Sequence, residues 1–179
     1  DISLDSQGML LYGINSSGKS SLMKAVGLNI IMAQAGMYCF CDSINYHPYK
    51  HLFTRISGLD NIYRGMSSFV VEMTELRNIL NRSDKYSLVL GDEICSGTEN
   101  ISAISIVASS LYQLTTNKSS FIFATHLHEL IDIDIIKHLS LQNQISIKHM
   151  HISFQDGIII YNRQIMDGNG SKIYGIEVC

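Results

Sequence analysis

The apolar residues of this chain fall into two patterns, short unbroken runs and longer stretches in which they recur every three or four positions. An unbroken apolar run is typical of a strand that is buried on both faces, as in a parallel sheet covered by helices. These runs predict strands at 8–12, 53–56, 87–93 and 120–125.

The periodic stretches lie between these runs and predict helices. The apolar face of the first helix, which stops near Gly36, comprises Leu22, Val26, Ile30 and Ala33. The second helix begins at Ser67 or Ser68 and continues to about Asn81, and the third covers about 101–114. Strands that alternate with helices predict an α/β fold, in which helices cover both faces of a mainly parallel sheet.

The C-terminal part departs from this alternation. A short helix is predicted after His126, followed by β-rich runs at 145–154 and 158–164. The dipeptide Asp156-Gly157 lies between these runs and is a strong signal for the turn of a β-hairpin. We therefore expect a C-terminal β-hairpin region.

Composition places the chain among globular proteins. Of its 179 residues 46% are apolar and 16% are charged, and this length fits a single domain over 1–179. The formal net charge is −3, so no overall basic field would draw this segment onto DNA or an anionic membrane. The longest apolar stretch, 25–40, is too short and too interrupted to span a bilayer, and no membrane contact is expected.

Four cysteines in a chain without a signal peptide indicate an intracellular, reducing compartment. Cys39 and Cys41 lack the two-residue spacer and the second pair that a zinc site requires. The cysteine thiols are therefore expected to be buried or half-buried.

The first candidate for chemistry is a phosphate-binding loop, Gly13-x-x-x-x-Gly18-Lys19-Ser20, between a predicted strand and a predicted helix. Its glycines let backbone N–H groups point at a phosphate beside the helix N-terminus. Lys19 is expected to reach the β- and γ-phosphates, and the Ser20 hydroxyl to ligate Mg²⁺. The pattern predicts a P-loop NTPase that binds nucleotide through Gly13, Ile14, Asn15, Ser16, Ser17, Gly18, Lys19, Ser20 and Ser21.

Two further groups are expected at the same edge of the sheet. Asp92 and Glu93 end the strand 87–93, at the carboxyl edge where an open α/β fold binds its nucleotide. Asp92 is expected to hold Mg²⁺ and Glu93 to orient or deprotonate the attacking water, the alternative being a solvated acidic strand end. His126 follows the strand 120–125 and can contact the γ-phosphate or that water, with a helix cap as its alternative. The predicted catalytic residues are thus Glu93, His126 and Lys19.

These motifs, with others in the same order, closely resemble the ATPase domain of the MutS mismatch-repair family, a relative of the ABC-type ATPases. The most discriminating of the matching stretches is the Phe-x-Val-Glu-Met run at 69–73. The matching stretches run through nearly the whole chain and lie at 12–21, 53–56, 67–75, 88–93, 96–98, 124–126, 129–130 and 171–178.

The resemblance implies that two ATPase domains face each other and hold each nucleotide between them. Ser67 would then contact the γ-phosphate bound by the partner subunit, for which plain helix capping is the alternative. Asn15 matches a family position that senses nucleotide, and Thr98 lies in the loop that crosses to the partner's site. The implied cofactors are ATP and Mg²⁺, and the implied partner is a second MutS-type ATPase domain, identical or different.

The chain also departs from the family pattern. Ile14 replaces the usual proline and Ser17 a usual glycine, and both changes are compatible with nucleotide binding. After Thr98 the run 99–103 lacks the expected small hydroxyl residue and Asp-Gly pair, which concerns the coupling between the two sites. These differences are typical of a divergent branch, in which some members carry an appended nuclease domain.

The resemblance implies a fragment of a larger protein, because the mismatch-reading, connector and clamp segments are absent from these residues. Its expected function is Mg²⁺-dependent ATP hydrolysis, coupled to dimer and clamp conformation in DNA mismatch repair. Other domains would bind the mismatched or branched double-stranded DNA, in a DNA-containing compartment. The alternatives are a MutS-like protein acting in recombination or with an appended nuclease, and a nucleotide-gated dimerisation module with little hydrolysis.

Overall fold

The computed structural model describes residues 2–4, 7–56, 68–155 and 158–170. Its strands are β1 (Gly8–Tyr12), β2 (His51–Arg55), β3 (Ser87–Asp92), β4 (Ser120–Thr125), β5 (Ile145–Gln155) and β6 (Ile158–Asp167). Its α-helices are α1 (Lys19–Gln34), α2 (Ser68–Arg82), α3 (Asn100–Thr116) and α4 (Asp134–Leu141).

The six strands form one sheet in the order β2-β3-β4-β1-β5-β6. The first five pair in parallel, whereas β6 runs antiparallel to β5 at the edge. This arrangement confirms the predicted α/β fold with a mainly parallel sheet. The strand pairing of the predicted C-terminal hairpin is confirmed too, and its turn, Asp156-Gly157, lies outside the described residues.

The core occupies both faces of the sheet, as the unbroken apolar strands predict. All five residues of β1 are buried, and successive side chains point to opposite faces. Leu10 belongs to one cluster with Leu111 of α3 and Leu76 of α2. Met9 belongs to the other cluster, with Met23 of α1.

The buried face of α1 is centred one residue away from the predicted one. Ile30 is buried as predicted, and so are Met23 and Gly27, whereas the predicted Leu22, Val26 and Ala33 are only half-buried. A side-chain carbon added at Gly27 would lie 3.0 Å from the Leu90 Cδ1 atom of β3. The helix therefore lies tightly against the sheet at a residue that contributes no apolar side chain to the sequence pattern.

Two other expectations need correction. The single short helix predicted after His126 is a 3₁₀ turn at His128–Asp132 followed by α4, because Ile133 between them is extended, with φ −71° and ψ 127°. The thiol prediction is correct for Cys95, which is buried, and for Cys39, which is half-buried, but wrong for Cys41, which is exposed.

No helix within the described ranges combines the length and the apolarity that a membrane span requires.

Candidate functional site

The candidate site is a cavity of about 530 Å³ at the carboxyl edge of the sheet. The loop that follows β1 and the turn that follows β3 both reach this edge, since β1 and β3 lie on either side of β4 and parallel to it. Residues 15–21 line one wall of the cavity, and Asp92, Glu93 and Thr98 line the other. The sheet thus brings most of the predicted binding residues to one place.

The loop from Gly13 to Gly18 turns tightly before α1 begins. Gly18 and Ser16 are left-handed, with φ 104° and 66°, and the Ser17 N–H donates to the Ile14 carbonyl at 3.2 Å. A side-chain carbon at Gly13 would lie 2.6 Å from the Ser17 hydroxyl, so a larger residue there would require the Ser17 side chain to move. The first turn of α1 contains no acidic residue, and its N-terminal N–H groups favour an anion in the cavity.

Lys19 is the central cation of the site and is only 4% exposed. Its ammonium group donates to the carbonyl oxygens of Gly13 and Ile14, at 2.7 and 3.1 Å. It also forms an ion pair with the Glu93 carboxylate, with 3.3 Å between Nζ and Oε1. These partners compensate the cost of burying the charge, and they hold Lys19 between the loop and the end of β3.

Asp92 ends β3 and is buried, with 8% exposure. Among the described residues, its Oδ1 atom and the buried Ser17 hydroxyl have no hydrogen-bond partner. A buried polar atom without a partner costs roughly 1–3 kcal/mol. Two such atoms at one cavity indicate a place where a polar ligand or an ion completes the contacts.

The oxygen atoms of Asp92 and Ser20 at this cavity are suitable ligands for a Mg²⁺ ion. Within the described ranges, no three His, Cys, Asp or Glu side chains cluster as a complete metal site. Mg²⁺ is commonly held by one or two protein oxygens together with water and substrate phosphates. The Asp92 carboxylate and the Ser20 hydroxyl, which both line the cavity, offer such a partial set of oxygens.

The turn after β3 contains two residues in the left-handed conformation, although neither of them is glycine. Glu93 and Cys95 are both left-handed, with φ 47° and 65°. Such residues cost of order 1–3 kcal/mol each and persist where surrounding contacts hold them. The Glu93 N–H donates to the Ala124 carbonyl at 2.9 Å, and the Cys95 N–H donates to the Glu72 carboxylate at 3.0 Å.

Two charged residues of the cavity were not singled out from the sequence. Arg55 ends β2, and its Nε atom lies 3.1 Å from the Glu75 Oε2 atom of α2. Glu72 of α2 also lines the cavity, and no function was assigned to it from the sequence, although it lies in the discriminating run 69–73. The signal for Arg55 was available, because the end of β2 must reach the same edge as Asp92 in a parallel sheet.

Other predicted residues lie at the margin. Gly13 and Ile14 contact Lys19 through their carbonyls but do not line the cavity. His126 follows the end of β4 and is exposed, outside the residues that line the cavity. Its predicted catalytic role is untested and stays a prediction. Ser67, the predicted contact to the partner's nucleotide, lies outside the described residues.

The loop that carries His126 is attached to the end of β1 by an aromatic contact. Tyr12, the last residue of β1, is fully buried and stacks on His128, with 5.2 Å between ring centroids. Burial raises the pKa of the Tyr12 hydroxyl, and the carboxylates of Asp132 and Glu129 raise it further. Tyr12 therefore stays neutral and acts here through packing.

A pH-dependent stability is expected from Cys95. Burial, followed by the nearby Glu72 carboxylate, raises the pKa of the thiol to about 11. An unfolded thiol ionises near pH 9, so the folded chain binds more protons than the unfolded chain between about pH 9 and 11. The free energy of unfolding should therefore fall as pH rises through this window. Urea unfolding of the 179-residue chain should show a shallower fall in Cys95→Ala, and equal slopes would contradict the assignment.

Comparison with known proteins gives matches to a MutS family model and to MutS proteins. The family model described as MutS domain V matches residues 9–179. A putative DNA mismatch repair protein mutS homolog of Acanthamoeba polyphaga mimivirus is 45% identical over 96% of this chain and 15% of that protein. The mitochondrial DNA mismatch repair protein mutS homolog of Sarcophyton glaucum is 41% identical over 99% of this chain and 18% of that protein. The DNA mismatch repair protein MutS of Myxococcus xanthus is 36% identical over 97% of this chain and 19% of that protein. The chain spans less than a fifth of the length of these relatives.

Proposed function

Because the chain belongs to the MutS family, we propose that residues 1–179 form a P-loop ATPase domain, related to the ABC-type ATPases, within a larger DNA mismatch repair protein. The observation that carries this proposal is the convergence of Lys19, Asp92 and Glu93 on one cavity beside a left-handed phosphate-binding loop. Mismatched or branched double-stranded DNA is the proposed ligand of other domains of that protein.

Nucleotide binding is assigned to the loop and the start of α1. The N–H groups of the loop and the positive end of the helix attract phosphate oxygens, and Lys19 supplies a full positive charge. Asn15 lines the outer part of the cavity and is exposed, as a residue that senses nucleotide would be. Lys19 must leave Glu93 at least in part when it turns to a phosphate, so binding also releases the carboxylate.

The metal requirement follows from the charge of the cavity. Three carboxylates, from Glu72, Asp92 and Glu93, line it together with two cations, Lys19 and Arg55. A triphosphate brought in alone would be repelled by these carboxylates. When bound, Mg²⁺ neutralises phosphate charge. The Ser20 hydroxyl and the Asp92 carboxylate would hold the ion.

Catalysis is assigned to Glu93, with His126 as a second contact to the attacking water or the γ-phosphate. A carboxylate released from Lys19 can orient the water and accept its proton. The left-handed turn fixes the backbone of Glu93, so its side chain reaches the cavity from a defined position. This carboxylate favours a hydrolysing enzyme over a dimerisation module that only binds nucleotide.

The proposal is tested by equilibrium binding of ATP to the full-length protein, with Mg²⁺ and with EDTA. Removal of Mg²⁺ should weaken binding by up to roughly 10³-fold, since one charge contact near 4 Å is worth about 4 kcal/mol at an effective dielectric constant of 20 and about 1.4 kcal/mol corresponds to tenfold in affinity. Asp92→Asn should reduce this dependence on Mg²⁺. Absence of ATP binding under either condition would contradict the proposed function, and binding that is indifferent to Mg²⁺ would contradict the metal site.

A further inference from the structure

We propose that Glu72 is a positioning residue for Glu93, acting through a single hydrogen bond to the backbone of the turn that follows β3. The proposal rests on the assigned role of Glu93 in hydrolysis. It adds a residue of α2, 21 positions earlier in the chain, to the groups that determine the rate.

The contact itself is specific. Glu72 is half-buried on α2, and its Oε1 atom accepts the Cys95 N–H at 3.0 Å. Cys95 is 1% exposed, so water cannot readily replace this acceptor. The bond links two segments that are 23 residues apart and that belong to different secondary-structure elements.

The bond fixes the side of the turn that the sheet does not hold. The N–H of Glu93 is held by the Ala124 carbonyl of β4, and the carbonyl of Glu93 accepts the Ser96 N–H at 3.2 Å. Both Glu93 and Cys95 are left-handed, a conformation that non-glycine residues leave when their contacts are lost. Without Glu72, the turn would relax and the Glu93 carboxylate would change its position.

Helix α2 is well suited to hold this bond, because it is also attached to the neighbouring strand. Glu75, one helical turn after Glu72, pairs with Arg55 at the end of β2. The packing of Leu76 in the core fixes the same part of the helix. Glu72 therefore extends from a fixed segment of α2.

The hydrogen bond from the Cys95 N–H requires an oxygen acceptor at position 72 but not a negative charge. Glu72→Gln keeps an acceptor at the same length, whereas Glu72→Ala removes it. A direct role of the Glu72 carboxylate toward metal or water, by contrast, would be lost in both variants. The pair of variants therefore separates positioning from direct participation.

The experiment is steady-state ATP hydrolysis by the full-length protein, with ADP affinity and thermal unfolding measured for each variant. Glu72→Ala should lower kcat roughly 10- to 100-fold, the size expected when a reacting group is displaced by about 1 Å, with little change in KM or ADP affinity. Glu72→Gln should stay within about threefold of wild type. Thr74→Ala, an exposed change on the same helix, is the matched control.

A kcat in Glu72→Ala equal to that of wild type, or a kcat in Glu72→Gln as low as that in Glu72→Ala, would overturn the proposal. Hydrogen exchange provides a second measurement that does not depend on hydrolysis. Peptides that contain the Cys95 amide should exchange faster in Glu72→Ala, but not in Glu72→Gln. Unchanged exchange of the Cys95 amide in Glu72→Ala would overturn the proposed role of Glu72, even if the protein hydrolysed no ATP. Absence of ATP hydrolysis in the wild-type protein would instead count against the proposed function. Glu72→Met replaces Glu72→Ala if the latter does not fold.

Discussion

Glu93→Gln is expected to keep ATP bound while lowering steady-state turnover roughly 10²–10³-fold, the loss typical of one well-placed catalytic contact. The amide has nearly the same size as the carboxylate but cannot accept the proton of the attacking water. It also removes the negative charge that pairs with Lys19, whose Nζ atom lies 3.3 Å from the Glu93 Oε1 atom. Nucleotide affinity should therefore stay equal to that of wild type or increase.

Phosphate release and ADP titration on the full-length protein measure these two effects separately. Asp42→Asn is the control, because Asp42 is an exposed carboxylate that does not line the cavity. Wild-type turnover in Glu93→Gln would refute the assignment of Glu93. A parallel loss in Asp42→Asn would point to a general effect of charge.

The same variant tests the pairing of two ATPase domains that the family resemblance implies, since it should retain ATP without turning it over. In sedimentation with Mg²⁺-ATP, Glu93→Gln protein should show an ATP-dependent dimer that Ser67→Arg removes. An ATP-bound monomer would contradict the shared site. A dimer that survives Ser67→Arg would contradict the role of Ser67.

Lys19→Met should weaken ATP binding by about 2–5 kcal/mol, which corresponds to roughly 30-fold to several thousand-fold in Kd. Methionine replaces the aliphatic part of the buried side chain but supplies no charge to a phosphate. The carbonyls of Gly13 and Ile14 lose their shared donor, and Glu93 loses its ion pair. The loop should consequently be less ordered as well as less positive.

Isothermal titration with Mg²⁺-ATP measures the loss, with circular dichroism to establish that the chain is folded. Lys24→Met is the matched control, because Lys24 is an exposed lysine of the same helix. An affinity within threefold of wild type in Lys19→Met would contradict the assignment of the loop. Equal losses in the two variants would show that only net charge matters.

The strands and the loop were predictable because their signals are local. An apolar run, a glycine at the bend and a lysine after it are read within a few residues, and the parallel sheet then places Asp92 near that loop. The offset of α1 was not predictable in this way. It lies tightly against the sheet at Gly27, which carries no apolar side chain.

The part of the site that the sequence did not predict depends on contacts between distant segments. The acceptor for the Cys95 N–H comes from Glu72, and no local pattern links the two. The left-handed conformations of Glu93 and Cys95 also have no sequence signal, because neither residue is glycine. Such features are set by tertiary packing and become visible only in the folded chain.

The position of β4 between β1 and β3 has a consequence for how the site tolerates sequence change. Adjacent strands lie about 4.8 Å apart, so the two walls of the cavity begin about 10 Å from each other. That spacing is determined by backbone hydrogen bonds, which every residue type except proline can make. Side chains of β4 can therefore vary through evolution, as long as they pack, without widening or closing the cleft.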